Sequence, residues 1–126
     1  MKKEFTVTSR EAQGYLSVTG NGERNTVSDI LDSARLLMTE LKKYTYSKIL
    51  LDYSKVRTRA KYADVFNISR IHEEATPELT DYIFAVMVNR YELETETFWE
   101  ETNRKRGLNT RIFVDKQEAI EWLLNQ

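Results

Sequence analysis

The first two segments of the chain predict a β-hairpin. Phe5 and Val7 lie in the first segment, and residues 15–18, Tyr-Leu-Ser-Val, form the second. Aromatic and β-branched residues favour strands, and residues 11–14 separate the two segments at the spacing of a hairpin connection. The pattern therefore predicts two antiparallel strands.

A long amphipathic helix is predicted next. Gly20-Asn21-Gly22 has the composition of a tight turn from a strand to a helix, since glycine tolerates positive φ. Apolar residues then recur at intervals of three and four residues from Ile30 to Leu41. Thr26 followed by Asp29 is typical of a capping box, and we expect the helix to begin there and to end near Tyr44.

Two apolar runs predict strands covered on both faces, each followed by a helix. Residues 49–51, Ile-Leu-Leu, form the first run, and residues 83–88 form the second. A helical pattern follows the first run from Tyr62 towards Glu74 and is stopped near Pro77.

Two further helices complete the pattern. One carries Phe98 and Trp99 and ends at the cations of residues 104–106 and at Gly107. We interpret the adjacent aromatic pair as core, with one ring partly exposed. Residues 111–114 predict a last strand, and Asp115 begins a last helix whose inward residues are expected to be Ala119, Ile120, Leu123 and Leu124.

The predicted order is ββαβαβαβα, which defines an α/β domain spanning residues 1–126. Alternating strands and helices require crossover connections, so the later strands are expected to be parallel. The prediction is one mixed sheet of about five strands, with an antiparallel amino-terminal hairpin, packed with four helices.

Composition removes several classes of function. The 126 residues carry 19 Lys+Arg and 20 Asp+Glu, a net charge of −1, which gives no general attraction to nucleic acid. The chain has no cysteine and one histidine, His72, so we expect no metal site and no cofactor. No long apolar run is present, so we expect a cytoplasmic protein without membrane insertion.

Candidate functional residues follow the predicted parallel strands, because open α/β sheets bind ligands beyond the carboxyl ends of their strands. They are Asp52, Ser54 and Thr58 after one strand, and Asn89 and Arg90 after the next. Ser54 and Thr58 are expected just before a helix, where an added phosphate would meet a favourable dipole. No nucleophile and base pattern accompanies them, so we predict no catalytic residues.

The start of the third predicted helix is strongly acidic. Such carboxylates could serve acid–base catalysis or bind calcium, but the first turn of a helix favours acidic residues through its dipole, and we interpret the cluster in that way. The residues are Glu92, Glu94, Glu96, Glu100 and Glu101.

With this element order, the chain resembles the STAS superfamily. Residues 49–56, Ile-Leu-Leu-Asp-Tyr-Ser-Lys-Val, match its strand and turn, and residues 111–123 resemble the end of the small SpoIIAA-like (STAS/SEC14-like) branch. The resemblance implies a non-enzymatic binding domain, whose regulatory members are gated by phosphorylation of a serine at the start of the second helix. In this chain, residues 57–62 contain no serine, and Thr58 is their one aliphatic hydroxyl for phosphorylation.

Three hypotheses of function follow. The first is a domain that binds a regulatory protein partner or a small apolar or anionic ligand at the surface around the second helix. The second is a small-ligand or lipid carrier, or a small enzyme, whose pocket lies beyond Asp52, Asn89 and Asp115, with Arg90 holding an anion. The third is a homodimer formed through the edge strand at Phe5 and Val7 or through helix faces.

Overall fold

The computed structural model describes residues 3–59, 70 and 76–126. Five strands form one sheet: β1 (Thr6–Glu11), β2 (Leu16–Arg24), β3 (Lys48–Thr58), β4 (Ile83–Met87) and β5 (Asn109–Phe113). Within the described ranges lie three α-helices, α1 (Val27–Leu41), α2 (Leu93–Lys105) and α3 (Lys116–Leu124). Short 3₁₀ turns span Pro77–Asp81 and Arg90–Glu92.

The sheet confirms the predicted fold class. Its strand order is β1-β2-β3-β4-β5, with β1 antiparallel to β2 and each later pair parallel. The second predicted helix, from Tyr62 towards Glu74, lies outside the described residues, and so does His72. The described helix count is therefore three where four were predicted for the whole chain.

Helices cover both faces of the sheet because the side chains of β3 alternate between them. Ile49 and Leu51 pack with α1 on one face, whereas Leu50 packs with α3 on the other. Helix α2 lies on the α1 side, where Trp99 contacts Ile30. The sheet thus separates two apolar layers.

Helix boundaries follow the capping chemistry that the sequence predicts. The Thr26 hydroxyl accepts a hydrogen bond from the Asp29 amide at 3.1 Å, and the Asp29 carboxylate accepts one from the Thr26 amide at 3.2 Å. Asp115 begins α3 by accepting from the Glu118 amide at 3.0 Å. Gly107 follows α2 with a φ of 89°, as expected of a terminating glycine.

The prediction that Leu124 faces inwards on α3 was wrong. Leu124 is 44% exposed, whereas Ala119 and Leu123 are fully buried. Leu124 is the last residue of this nine-residue helix and points about 100° around the helix axis from Leu123, which faces the core.

The predicted turn at Gly20-Asn21-Gly22 was also wrong, because these residues continue β2. The register between β2 and β3 shifts between Thr19 and Asn21, which is typical of a bulge. A β-carbon on Gly20 would lie 2.5 Å from the Tyr53 ring, so glycine serves here for close packing of two strands. The strand therefore runs to Arg24.

Candidate functional site

Strand β3 extends further than predicted, and this moves three candidate residues. Asp52, Ser54 and Thr58 lie within Lys48–Thr58 and not beyond the end of a short strand. The extra length arises because the second half of β2, from Asn21 to Arg24, pairs with Lys55–Thr58. The prediction that Ser54 directly precedes a helix is therefore corrected.

Three of the predicted site residues meet at one place. The Ser54 amide and hydroxyl both donate to Asp52 Oδ1, at 3.0 and 2.6 Å. Asn89 Nδ2 donates to the Ser54 carbonyl at 3.1 Å, and Asn89 Oδ1 accepts from the Glu92 amide at 3.0 Å. These hydrogen bonds join the segment that follows β4 to strand β3. Arg90 is exposed at the start of the 3₁₀ turn.

Thr58 lies apart from that cluster, at the end of β3. Its side chain is buried, with 7% exposure. Its Oγ1 accepts two hydrogen bonds from Arg24, from Nε at 3.1 Å and from Nη2 at 2.8 Å. Phosphorylation of Thr58 would therefore require this contact to open.

A cavity of about 110 Å³ lies between the sheet and helices α1 and α2. It is on the face of the sheet that bears Leu51 and Tyr53, opposite the face that bears Leu50. Most of its wall is apolar, which is typical of small-molecule sites. The apolar wall includes Ile30, Ala34, Leu37, Leu51, Phe84 and Val86.

Arg24 supplies a cation to the cavity wall. Its guanidinium carbon lies 5.1 Å from the centroid of the Tyr53 ring and 5.9 Å from that of Phe5, and both distances are within cation–π range. Nη1 also lies 3.4 Å from the Ser33 hydroxyl, as a long hydrogen bond. Neutral groups thus hold the guanidinium in place from several sides.

Two further titratable groups line the cavity and are affected by burial. Burial raises the pKa of Glu96, an effect that the attraction of Arg24 opposes and the repulsion of Glu92 reinforces. Burial also raises the pKa of Tyr53 to about 12, so its phenol stays neutral. Perturbed carboxyl groups in apolar cavities mark candidate functional sites.

Trp99 and Glu100 complete the polar part of the wall. Trp99 is 8% exposed, and its indole Nε1 has no hydrogen-bond partner in the described part of the chain. An unpaired buried donor is uncommon in folded proteins. Glu100, in contrast, is occupied, because its Oε2 accepts from the Ile112 amide at 2.6 Å.

Two other buried atoms lack hydrogen-bond partners within the described residues, the Oδ1 atoms of Asn21 and Asn25. Neither residue lines the cavity. Of the three unpaired buried atoms, Trp99 Nε1 is therefore the one that belongs to a cavity-lining residue.

Sequence reasoning missed this site, although one signal for it was present. Glu96, Trp99, Glu100 and Asn103 have the spacing i, i+3, i+4 and i+7, which places them on one face of α2. All four line the cavity. The interpretation of the acidic cluster through the helix dipole is thus incomplete, because Glu96 and Glu100 contribute to an interior wall.

Two further features of the described chain bear on the kind of site. Residues 3–59, 70 and 76–126 contain no group of three or more His, Cys, Asp or Glu side chains arranged to hold a metal ion. None of the helices in these ranges combines the length and apolar character needed to cross a membrane.

Comparison with solved structures shows the fold. The chain is similar to an uncharacterized protein of the DUF3478 family, with a SpoIIAA-like fold, from Shewanella loihica PV-4. The match has a TM-score of 0.59 and 16% sequence identity, and covers 98% of this chain and 95% of the other. No protein-family model matches the chain, and no curated protein matches it significantly. The chain therefore has a SpoIIAA-like fold, as its sequence resemblance implied.

Proposed function

We propose that this chain is a non-enzymatic domain that binds a small molecule in the cavity between the sheet and helices α1 and α2. The observation that carries the proposal is that Trp99, which lines an apolar cavity, has a buried indole N–H with no hydrogen-bond partner among the described residues. A ligand with a hydrogen-bond acceptor would satisfy that donor, and its apolar part would contact the remaining wall.

The size of the cavity limits the ligand. At about 110 Å³, it is somewhat smaller than an engineered cavity of about 150 Å³ that binds benzene. We therefore expect an apolar part of roughly four to six carbon atoms. This proposal differs from the hypothesis of a pocket beyond Asp52, Asn89 and Asp115. Asp52 and Asn89 are both hydrogen-bonded to Ser54, and Asp115 accepts from the Glu118 amide.

Binding without catalysis is favoured by the state of the polar groups. The Ser33 hydroxyl donates to the Ile30 carbonyl at 2.7 Å and is therefore not poised as a nucleophile. The Glu100 carboxylate is held by a backbone amide. Glu96 could donate or accept a proton, but within the described residues no hydrogen bond joins it to a hydroxyl group of the cavity wall.

A cavity-filling variant tests the proposal. Ala34 is buried in α1 and lines the cavity, so Ala34→Leu should occupy the space that a ligand needs. Small amphipathic fragments would be screened against the unaltered protein by saturation-transfer NMR and then tested against the variant. Leu36→Ala, at an exposed position of the same helix, is the matched control.

We expect fragments to bind the unaltered protein and the control but not Ala34→Leu. Fragments that bind all three proteins equally would place binding elsewhere on the molecule. If no fragment binds the cavity, the protein-partner hypothesis would become the stronger one.

A further inference from the structure

The polar groups of the cavity also indicate the chemical class of the ligand. We propose that the ligand is a small monocarboxylate, whose carboxylate lies between the Arg24 guanidinium, the Trp99 indole N–H and the Glu96 carboxyl group. This inference rests on the proposed function, because it requires the cavity to take a ligand.

The first reason is a cation without an anion in direct contact, since Glu96 attracts Arg24 but forms no ion pair with it within 4.0 Å. Arg24 is partly buried, and no carboxylate lies within 4.0 Å of its guanidinium among the residues that the structure describes. Its hydrogen bonds go to the hydroxyl groups of Thr58 and Ser33, and its other close contacts are aromatic rings. Those three bonds leave two of its five N–H donors without a hydrogen bond to any described residue. Buried charges are normally paired, so an anionic ligand would supply the missing partner.

The second reason is a donor without an acceptor. Trp99 Nε1 can only donate, and it has no acceptor in the described ranges. A carboxylate has two oxygen atoms, so one can accept from Trp99 and the other from Arg24. Hydrogen bonds to a charged acceptor are also stronger than those to a neutral one.

Glu96 is compatible with a carboxylate ligand only when it carries a proton. Burial already raises the pKa of Glu96, and a ligand carboxylate beside it would raise that pKa further. The protonated Glu96 would then donate a hydrogen bond to the ligand. Binding would take up one proton from solvent wherever Glu96 is ionised in the free protein.

The groups around Glu96 support this assignment of the proton. Among the described residues of the cavity wall, Arg24 on β2 is the one cation, and Tyr53 on β3 stays neutral. Glu92 repels the Glu96 carboxylate, and Glu100 is bonded to a backbone amide and lies 3.8 Å from Arg104. The described cavity-lining residues of α1, β4 and β5 have no titratable side chain. Glu96 is therefore the group expected to change protonation on binding.

Matched acids and amides test the proposal on the 126-residue chain. Isovalerate and benzoate, with four and six carbon atoms beside the carboxylate, would be titrated beside their neutral amides and followed by the indole N–H signals in NMR spectra. The chain has two tryptophans. Trp99 reports on the cavity, and Trp122 packs against Phe113 on the opposite face of the sheet, with ring centroids 5.8 Å apart.

We expect at least one acid to shift the Trp99 signal and not the Trp122 signal, and to bind more tightly than its amide. Its affinity should fall by up to about tenfold per pH unit in the range where Glu96 ionises in the free protein. Glu96→Gln retains an N–H donor and cannot titrate, so it should still bind the acid but lose this pH dependence.

Two substitutions separate recognition from folding. Trp99→Phe keeps a smaller aromatic ring at this position and removes the N–H, so it should weaken acid binding about tenfold. Binding to this variant is measured by isothermal titration calorimetry, because it lacks the indole that reports on the cavity. Trp122→Phe is the matched control and should leave binding unchanged. Equal binding by Trp99→Phe and the unaltered protein would contradict the role of the indole donor.

These experiments distinguish failure of the monocarboxylate proposal from failure of the proposed function. Amides that bind while acids do not would overturn the monocarboxylate and leave the proposed function intact. If neither series shifts the Trp99 signal, the monocarboxylate proposal is also overturned, and the Ala34→Leu fragment test decides the proposed function independently.

Discussion

Replacing Gly20 with alanine should destabilise the sheet by displacing a residue of the candidate site. The added β-carbon would lie 2.5 Å from Cε1 and 2.7 Å from Cδ1 of Tyr53, and 3.2 Å from Cζ of Phe5. The Phe5 and Tyr53 rings meet edge to face with their centroids 5.7 Å apart. Arg24 lies against the Tyr53 ring as well, so a shift of this ring disturbs both contacts.

Two opposing effects determine the magnitude. Overpacking of this kind costs about 1–3 kcal/mol. Alanine also restricts the unfolded chain, which contributes about 0.4–1 kcal/mol in the stabilising direction. The expected net loss is therefore roughly 1–2 kcal/mol, and overpacking determines its sign.

Urea unfolding of a double-mutant cycle measures this effect. With a denaturant slope of about 1–3 kcal/mol per molar urea, the expected loss lowers the midpoint by roughly 0.3–2 M. Tyr53→Leu removes the ring, so Gly20→Ala should cost much less in that background. Tyr53→Phe keeps the ring and should keep the full cost.

An equal cost in the Tyr53→Leu background would refute the reasoning, because the contact with the ring would then not be its source. A gain in stability on Gly20→Ala alone would refute it as well. It would mean that the strands separate enough to accept a methyl group.

Three further substitutions test other parts of the structure. The raised pKa of Glu96 means that the folded state holds this proton more tightly than the unfolded state. The stabilisation of the folded state that results is fully present below the ordinary carboxyl pKa. It is lost as pH rises through the pKa of Glu96 in the folded state. Glu96→Gln should therefore melt higher than the unaltered protein at about pH 8, with the difference shrinking towards about pH 4. Thr26→Ala removes a capping box and should cost about 1 kcal/mol in urea unfolding, a prediction that an unchanged midpoint would contradict. Leu50→Ala should cost about 2–5 kcal/mol, against about 0.5 kcal/mol or less for the exposed Leu36→Ala, and similar costs would contradict the assigned burial.

Local patterns predicted the elements whose ends are set by local chemistry. The start of α1 depends on Thr26 and Asp29, and the end of α2 is marked by Gly107, all of which can be read in the sequence. The parallel arrangement of the later strands follows from their alternation with helices. These features need no knowledge of distant contacts.

The lengths of β2 and β3 could not be predicted in this way. Gly20-Asn21-Gly22 has the same composition whether it forms a turn or a bulged strand. The difference lies in residues distant in the sequence, since the ring of Tyr53 occupies the space beside Gly20. Pairing with β3 then continues to Arg24.

The candidate site was missed for a related reason. Glu96 belongs to an acidic cluster that a helix start explains well, and only its spacing from Trp99 indicates an inward face. The unpaired state of the indole N–H is a property of the folded packing. Arg24 has no local pattern that distinguishes it from an ordinary surface cation.

The extension of β2 and the candidate site have one structural cause. Arg24 pairs in register with Thr58 at the end of the β2–β3 ladder, and this register places its guanidinium against Tyr53 and the cavity. A slip of one residue would turn the side chain to the other face of the sheet. Gly20 accommodates the Tyr53 ring, and Gly22, with a φ of 130°, allows the backbone of residues 4 and 5 to approach closely. The two glycines that locally resemble a turn thus let the strand continue to the residue that supplies the cation of the cavity.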